Sequence, residues 1–396
     1  MKNALNAVAL SGLVMSLLLY LPALASDSPP VSVEDDKQKG PQIRATLRIA
    51  HDDNVFDLTD SGQDRLSERD PANLTNGRLA NMNAVSDRIV SVSAEFDHSL
   101  GRVFGRKTTL SGEVSHHDYQ DNDDASYTTG QLNLTGSLGQ GRRIRADVEF
   151  IGNRFRRNYL TGISDLNDNG NIPRSERQYE AGVYDEVAPS LAYRHRFHWR
   201  PAKEDLDLHL AFGRLYRDYD SPLQNRDRKG WFSQVRLSAE FNAKLALDFA
   251  YRHEDLESPG YEEVVLVDET LDGDLNGDGR IKGNAPLVTQ VDRSRVRGTY
   301  RLSATFQHSP NWRTRLEYRH QDVEYTSSGN PMDVDHYGVT ETEQRFDADV
   351  RWRFAKRWFL TLAYRRTDGE DIENLGRDQS EFDQQRVSLS VRHRFR

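Results

Sequence analysis

Residues 90–115 read VSVSAEFDHSLGRVFGRKTTLSGEVS. In the first half of this stretch an apolar side chain stands at every second position, namely at Val90, Val92, Ala94 and Phe96. A short link at 100–104 leads to a second alternating run at 110–115. Successive side chains of a β-strand point to opposite faces. The stretch therefore predicts two strands with one apolar and one polar face each, joined by a tight turn.

The same alternation recurs from Ile43 to the end of the chain. We count about fourteen such segments, each near the length that crosses a bilayer when tilted. The later segments pass through Tyr300, Leu316, Val350, Leu362 and Leu389. An even number of strands suits a barrel with both chain ends on the periplasmic side.

The connections between these segments alternate between short and long. Short links fall at Leu100–Phe104, Gly139–Arg143, Arg200–Glu204, Asn242–Lys244, His308–Asn311 and Ala355–Arg357. Long polar links fall near 51–85, 119–126, 153–185, 217–228, 253–292, 326–342 and 368–383. Outer-membrane barrels have short periplasmic turns and long outer loops, so the alternation favours such a barrel over a soluble sandwich.

The composition excludes two kinds of site. The 396 residues are 36% hydrophobic and 29% charged, with a net charge of −9, a mean hydropathy of −0.78 and no cysteine. Disulfides and thiolate metal sites are therefore excluded. Strands in hydrocarbon must close to satisfy their backbone hydrogen bonds. We predict an all-β fold, a transmembrane antiparallel up-and-down β-barrel of about 14 strands.

The N-terminus predicts export. Lys2 precedes an apolar run from Ala4 to Leu21, and Ala23-Leu24-Ala25 is a small-x-small cleavage signal. We predict a signal peptide at 1–25, a flexible periplasmic lead-in at 26–40 and the barrel at 41–396. Tryptophans near strand ends are typical of interfacial girdles. They are Trp199, Trp312, Trp352 and Trp358 at the predicted periplasmic ends and Trp231 at an outer end.

Two resemblances follow from these residues. The alternating barrel pattern, closed by Phe395 and Arg396, resembles outer-membrane β-barrels of the porin-like group in a Gram-negative outer membrane. The segment His51-Asp52-Asp53-Asn54-Val55-Phe56 is similar to the D-[DS]-N-[VI]-[FY] segment of β-barrel porin 2 proteins, which accompany exopolysaccharide export. That resemblance implies passage of a sugar polymer, whereas the alternative interpretation is an ordinary turn.

Arginines concentrate on the predicted inward face of the last five strands. The lumen-lining candidates are Arg295, Arg297, Arg301, Arg313, Arg315, Arg319, Arg351 and Arg365. The first five strands carry more acids, including Glu95, Asp97 and Asp147. Walls of charge set the selectivity of pores. The alternative is that these charges pair across strands and fill the lumen.

Two predicted outer loops carry a calcium-binding pattern. Residues 165–176 match D-x-[DN]-x-[DN]-G-x5-E in full, with candidate ligands Asp165, Asn167, Asn169, Asn171 and Glu176. A second segment resembles the first half of that loop and the dockerin calcium loops. Its candidate ligands are Asp274, Asn276, Asp278 and Arg280, and Ala285 stands where the bidentate carboxylate belongs. Solvated Asn/Asp/Gly turns are the alternative.

Three functions agree with these features. The first is an outer-membrane channel for an anionic solute or an acidic exopolysaccharide. The second is a structural or adhesive surface barrel with calcium-ordered loops. The third is an outer-membrane enzyme, for which Asp123-Asp124 and Asp335-His336 resemble the acidic pair and the Asp-His pair of omptin proteases. We predict no enzyme and no cofactor beyond Ca²⁺. Expected partners are outer-membrane lipid, lipopolysaccharide and the barrel-assembly machinery, and no nucleic acid is expected.

Overall fold

The alternating segments form the strands of a closed barrel in a computed structural model. The structure describes residues 40–67, 82–103, 105–163, 177–199, 204–242, 244–267, 285–291, 293–326, 339–372 and 380–395. The predicted signal peptide and nearly all of the predicted lead-in lie outside the described residues. No described helix is long and apolar enough to span a membrane.

Sixteen strands, one short α-helix and two 3-10 turns (Asp123–Ala125 and Gln224–Arg226) make up the described secondary structure. The helix is α1 (Asp60–Ser67). The strands are β1 (Gln42–Asp52), β2 (Asp87–Val103), β3 (Arg106–Tyr119), β4 (Tyr127–Gly139), β5 (Arg142–Ile163), β6 (Arg177–Trp199), β7 (Glu204–Tyr219), β8 (Arg228–Asn242), β9 (Leu245–Glu257), β10 (Tyr261–Val267), β11 (Ala285–Val291), β12 (Arg295–Ser309), β13 (Trp312–Tyr325), β14 (Thr340–Ala355), β15 (Trp358–Ile372) and β16 (Ser380–Arg394).

Fourteen of the described strands pair in sequence order around the barrel. Each is antiparallel to its neighbour, β12 follows β9, and β16 pairs with β1 to close the ring. The remaining strands, β10 and β11, form a separate hairpin within the connection from β9 to β12. The predicted up-and-down barrel of fourteen strands is therefore confirmed.

The predicted short links at Gly139–Arg143, His308–Asn311 and Ala355–Arg357 are tight connections in the structure. The other three each include residues outside the described part of the chain, namely 104, 200–203 and 243. Between β4 and β5, positive φ angles at Gly139 (81°), Gln140 (51°) and Gly141 (74°) turn the chain, and glycine adopts such angles without a Cβ clash. Two predicted long links are wrong in extent. The 153–185 link is largely strand, since β5 and β6 run to 163 and from 177, and the 253–292 link contains β10 and β11. Strand pairing thus continues beyond the segments in which apolar alternation is clear.

The apolar members of each alternating row lie on the outside of the barrel. Val92, Leu191 and Phe212 are each 57–58% exposed, as expected of side chains that face lipid rather than protein. At the end with the short turns, aromatic rings form a belt across β13 to β16. Its contacts are Trp312–Trp352 (5.5 Å between ring centroids), Trp352–Phe354 (5.6 Å), Phe354–Trp358 (6.3 Å), Trp358–His393 (4.4 Å) and His393–Phe395 (4.4 Å). This belt contains three of the predicted girdle tryptophans, Trp312, Trp352 and Trp358.

Candidate channel lumen

The polar members of the rows face inward and line two cavities. The larger has a volume of about 1130 Å³ and is bounded by β4 to β9 and β12 to β14. The smaller, of about 250 Å³, lies against β1 and β13 to β16. Because arginines, aspartates and glutamates dominate both linings, water and ions are the natural contents of these spaces.

Six of the eight predicted lumen arginines line these cavities. Arg297, Arg301, Arg313, Arg315 and Arg319 lie on the wall of the larger cavity, and Arg365 lies on the wall of the smaller one. Arg351 is opposite Arg313 in the register of β13 and β14, and its guanidinium lies 5.9 Å from the Phe359 ring centroid. Arg295 has the same strand parity as Arg297 but is only 4% exposed.

Half of these arginines are ion-paired inside the barrel. Arg301 contacts Asp248 at 3.4 Å, Arg315 contacts Glu317 at 2.5 Å and Arg365 contacts Asp347 at 2.6 Å. Arg297 also pairs with Glu254. Acids from β9, β13 and β14 thus lie among the predicted basic positions. The difference in charge between the wall of the last five strands and the wall of the first five is therefore smaller than the sequence suggests.

The early strands show the same pairing. Glu95, which the sequence places on an acidic wall, contacts Arg44 and Arg392, both at 2.8 Å. Asp147 contacts Arg145 at 2.8 Å. The alternative interpretation of the lumen charges, pairing across strands, therefore describes much of the interior.

A surplus of positive charge remains after this pairing. Among the described residues, Arg295, Arg313 and Arg351 have no acidic partner within ion-pair distance, and Arg319 hydrogen bonds only to the Gln321 amide oxygen, at 2.6 Å. Arg313 and Arg351 lie side by side, and Arg319 lies opposite Arg301, which is paired with Asp248. Neighbouring unpaired guanidinium groups create a positive potential that attracts anions.

The segment from Asp52 to Phe56 joins the first strand to the last strand rather than facing a solute. Asp52 is fully buried and accepts a hydrogen bond from Arg386 Nε of β16 at 2.7 Å. The Asn54 side-chain amide is 1% exposed and donates to the carbonyls of Leu58 (2.8 Å) and Asp383 (2.9 Å). We call this contact set the seam clasp: Asp52, Asn54, Asp383, Gln384 and Arg386. It joins the first and last strands, a role that sequence alternation does not indicate.

The connection from β1 to β2, residues 53–86, is called loop 1. Phe56 packs against a cluster of Ala50, Ile89, Tyr119 and Ala125 on the inner face of the first strands. It also meets Phe155 of β5 edge-on, with 5.7 Å between ring centroids. The described part of loop 1 therefore reaches from the wall of β1 to β3 toward β5, at the end of the barrel with the long connections.

Two buried polar residues fix the end of loop 1, just before β2 begins. The Asn122 side-chain oxygen accepts hydrogen bonds from the backbone N–H groups of Asn83 (2.7 Å) and Ala84 (3.0 Å). The Asp87 carboxylate accepts from the backbone N–H groups of Gln120, Asp121 and Asn122. Because Asn122 and Asp87 are at most 1% exposed, these bonds fix both loops against each other.

Asp57 lies at the turn of loop 1, outside the membrane-spanning strands. Desolvation by the surrounding wall, and next the carboxylates of Glu343 and Asp52, raise the pKa of Asp57 to about 7, although Asp57 is exposed at the surface of the loop. Arg154 and Arg386 oppose this shift. Asp57 is therefore a carboxyl group that titrates near neutrality in the mouth of the barrel.

The residues of both predicted metal sites lie outside the part of the chain that the structure describes. Asp165, Asn167, Asn169, Asn171 and Glu176, and the second set Asp274, Asn276, Asp278 and Arg280, lie outside the described residues. Within the described part of the chain, no group of three or more His, Asp or Glu side chains is placed to hold a metal. Of the omptin-like residues, Asp123 and Asp124 are exposed in a 3-10 turn, and Asp335-His336 lies outside the described residues.

No protein-family model and no curated protein matches this chain. Several solved structures of outer-membrane channels are similar in fold. They include the outer-membrane channel DcaP of Acinetobacter baumannii (9% identity, TM-score 0.42, 92% of this chain and 100% of that chain). An anion-selective porin from Comamonas acidovorans (9%, 0.37, 90% and 99%) and the toluene transporter TbuX of Ralstonia pickettii (11%, 0.43, 90% and 90%) are also among them. With TM-scores below 0.5, these similarities carry no argument about solute.

Proposed function

We propose that this chain is an outer-membrane channel for anionic solutes. The observation that carries the proposal is the surplus of lumen arginines without acidic partners, namely Arg295, Arg313, Arg319 and Arg351. They lie inside a closed barrel whose outer face is apolar and whose interior holds a charged cavity of about 1130 Å³. In a low-dielectric surround, such a surplus favours anions over cations.

The barrel itself supports a location in the outer membrane. The exposed apolar face and the aromatic belt suit outer-membrane lipid, and lipopolysaccharide would contact the end with the long connections. Insertion of a closed barrel would involve the barrel-assembly machinery. The apolar outer face and the closed barrel are the features that support these partners.

An acidic exopolysaccharide is the larger solute that the same arginines would suit. The segment from Asp52 to Phe56 is not needed to explain such a solute, because its buried residues already serve the seam clasp. The support for a polymer is therefore the charge of the lumen. A conductance experiment with short acidic oligosaccharides would show whether they enter and block the current.

A planar-bilayer recording tests the channel. The purified chain should conduct, and its reversal potential in a salt gradient should show a preference for anions. Replacing Arg301, Arg315 and Arg351 with Glu should weaken or invert that preference, since three positive charges become negative. Arg366→Glu is the matched control, because Arg366 is exposed and pairs with Asp368.

The same recording distinguishes the channel from the second candidate function, the structural or adhesive barrel. The packing of Phe56 against the inner wall narrows the mouth and favours a structural or adhesive barrel with a closed lumen. A folded chain that inserts without conducting would support that function and reject the channel. Unchanged selectivity in the triple variant would reject the arginine wall alone.

A further inference from the structure

Two arginines at the mouth of the barrel are buried without a partner. Arg228 begins β8 and Arg295 begins β12, so both follow long connections. Each is 4% exposed, and neither has a hydrogen bond or ion pair with any residue that the structure describes. Strand parity turns both inward, since Arg228 shares a face with Gln234 and Arg295 shares a face with Arg297, both of which line the larger cavity.

The strand register places the two arginines on neighbouring parts of the wall. Arg295 is opposite Leu256 of β9, and Leu256 is opposite Gly230 of β8, two residues after Arg228. Gly230 lets β8 and β9 approach closely there, because an added Cβ would lie 1.9 Å from the Asp255 carbonyl oxygen. Arg295 is also the charged side chain with the strongest electrostatic effect on Arg228, and the effect is repulsive.

The nearby acids are already occupied. Glu186 accepts hydrogen bonds from Arg217 at 2.6 and 2.9 Å, and Glu254 contacts Arg252 at 2.7 Å and also Arg297. Arg217 stands opposite Arg228 in the register of β7 and β8. Neither Glu186 nor Glu254 is therefore left to neutralise Arg228 and Arg295.

A third polar group lies beside them. Ser258 follows the last residue of β9, and Glu257 is opposite Lys229, so the register brings Ser258 next to Arg228. Its Oγ is buried with no hydrogen-bond partner in the described chain. The unsatisfied atoms of this mouth site are Ser258 Oγ, Arg295 Nε, and Nε and Nη1 of Arg228.

Burial of a cation without a counter-charge destabilises a fold, and two adjacent cations add repulsion. Guanidinium groups bind oxyanions through paired, charge-assisted hydrogen bonds, and a serine hydroxyl can donate a further one. We propose that Arg228 and Arg295, with Ser258, bind the oxyanion group of a solute: a carboxylate, sulfate or phosphate. The inference deepens the proposed anion channel, because the site would concentrate such solutes at its mouth.

Equilibrium binding to the full chain in detergent tests this site without requiring conduction. Sulfate, phosphate and glucuronate are titrated by calorimetry at constant ionic strength against chloride. The parent barrel should bind at least one of them. The double variant Arg228→Gln, Arg295→Gln should bind about tenfold more weakly or worse, because both guanidinium groups are lost. The control Arg366→Gln should bind like the parent.

Thermal unfolding supplies a second readout, because the oxyanion should change the Tm of the parent and the double variant differently. The bound oxyanion should raise the Tm of the parent and not that of the double variant. Without oxyanion, the double variant should melt above the parent, because the repulsion is gone. The variant Arg228→Lys, Arg295→Lys keeps the charge and loses the planar fork, so it should bind more weakly than the parent. It also serves if the glutamine variant does not fold.

Equal affinity in parent and double variant, or no oxyanion binding by the folded parent, would overturn the site. Glucuronate binding without sulfate or phosphate binding would support it and assign the carboxylate. Binding without conductance would keep the site and reject the channel, whereas conductance without binding would do the reverse.

Discussion

Asp52 and Arg386 are joined across the seam of the barrel by a hydrogen bond of 2.7 Å from the Arg386 Nε to the Asp52 carboxylate. No part of Asp52 is exposed, and the Arg386 side chain is 17% exposed. A carboxylate and a guanidinium thus neutralise each other where the first strand meets the last. The pair is the charged centre of the seam clasp.

Asp52→Asn should destabilise the barrel strongly. The variant leaves the Arg386 cation largely buried without its partner, which costs about 3–5 kcal/mol. Denaturant unfolding in detergent measures the loss of stability. The folded fraction is read from the mobility difference between heated and unheated samples on a gel. Asp368→Asn is the control, because its pair with Arg366 is exposed and its midpoint should not move. An unchanged midpoint in Asp52→Asn would contradict the role of the clasp.

Selectivity should depend on the unpaired lumen charges and not on the paired ones. Arg313→Gln with Arg351→Gln removes two cations that have no acidic partner, so the anion preference should fall roughly twofold or more. Arg315→Gln with Glu317→Gln removes a neutral pair from the same strand region and should leave the reversal potential close to that of the parent. Equal effects of the two double variants would show that pairing does not govern permeation.

Loop 1 should pack more firmly as pH falls through neutrality. The pKa of Asp57 in the folded barrel, about 7, is above its value of 3.8 in an unfolded chain. A raised carboxyl pKa gives a stabilising contribution that is full below the unfolded value and is lost as pH rises through the folded one. The current at pH 5.5 should therefore be lower than at pH 8.

The variant Asp57→Asn should remove this pH dependence and stay in the low-current state. Asp64→Asn on α1 is the matched control, because Asp64 is exposed on the same loop. Currents that still change with pH in Asp57→Asn would assign the titration to another group.

We propose that residues 165–176 bind Ca²⁺ weakly, at roughly 10⁻⁴ to 10⁻³ M, since only Asp165 and Glu176 among the side-chain ligands are charged. Millimolar Ca²⁺ should protect this loop from protease with little change in barrel melting. Asp165→Ala should abolish the protection, Glu176→Gln should weaken it, and Mg²⁺ should substitute poorly. If Ca²⁺ leaves cleavage unchanged in the parent, the segment is a solvated turn.

Alternation in the sequence predicts the barrel because it reports the face on which each side chain lies. Arg301 is predicted inward for that reason, and it lies on the wall of the larger cavity. Alternation does not report partners, and Asp248 is 53 positions away from Arg301. Strand pairing decides such contacts, so the sequence offers pairing as an alternative but does not say which arginines are neutralised.

Residues at strand ends were missed for a related reason. Arg228 lies at the first position of β8, and the apolar row of that strand becomes clear only at Val235. Its isolation depends on which acids Arg217 and Arg297 already occupy, which the sequence does not show. The seam role of Asp52 and Asn54 likewise requires knowing that the chain ends meet.

The seam clasp also sets an order of events during biogenesis. Asp52 and Arg386 are 334 positions apart, and the Asp383 carbonyl that holds Asn54 lies on the same final strand. A nascent barrel that lacks β16 has no Arg386 for Asp52 and no Asp383 carbonyl for Asn54, and contacts between such distant residues form late. The start of loop 1 is therefore fixed to the wall only after the ring is complete, whereas its end, held by Asn122 and Asp87, can order earlier.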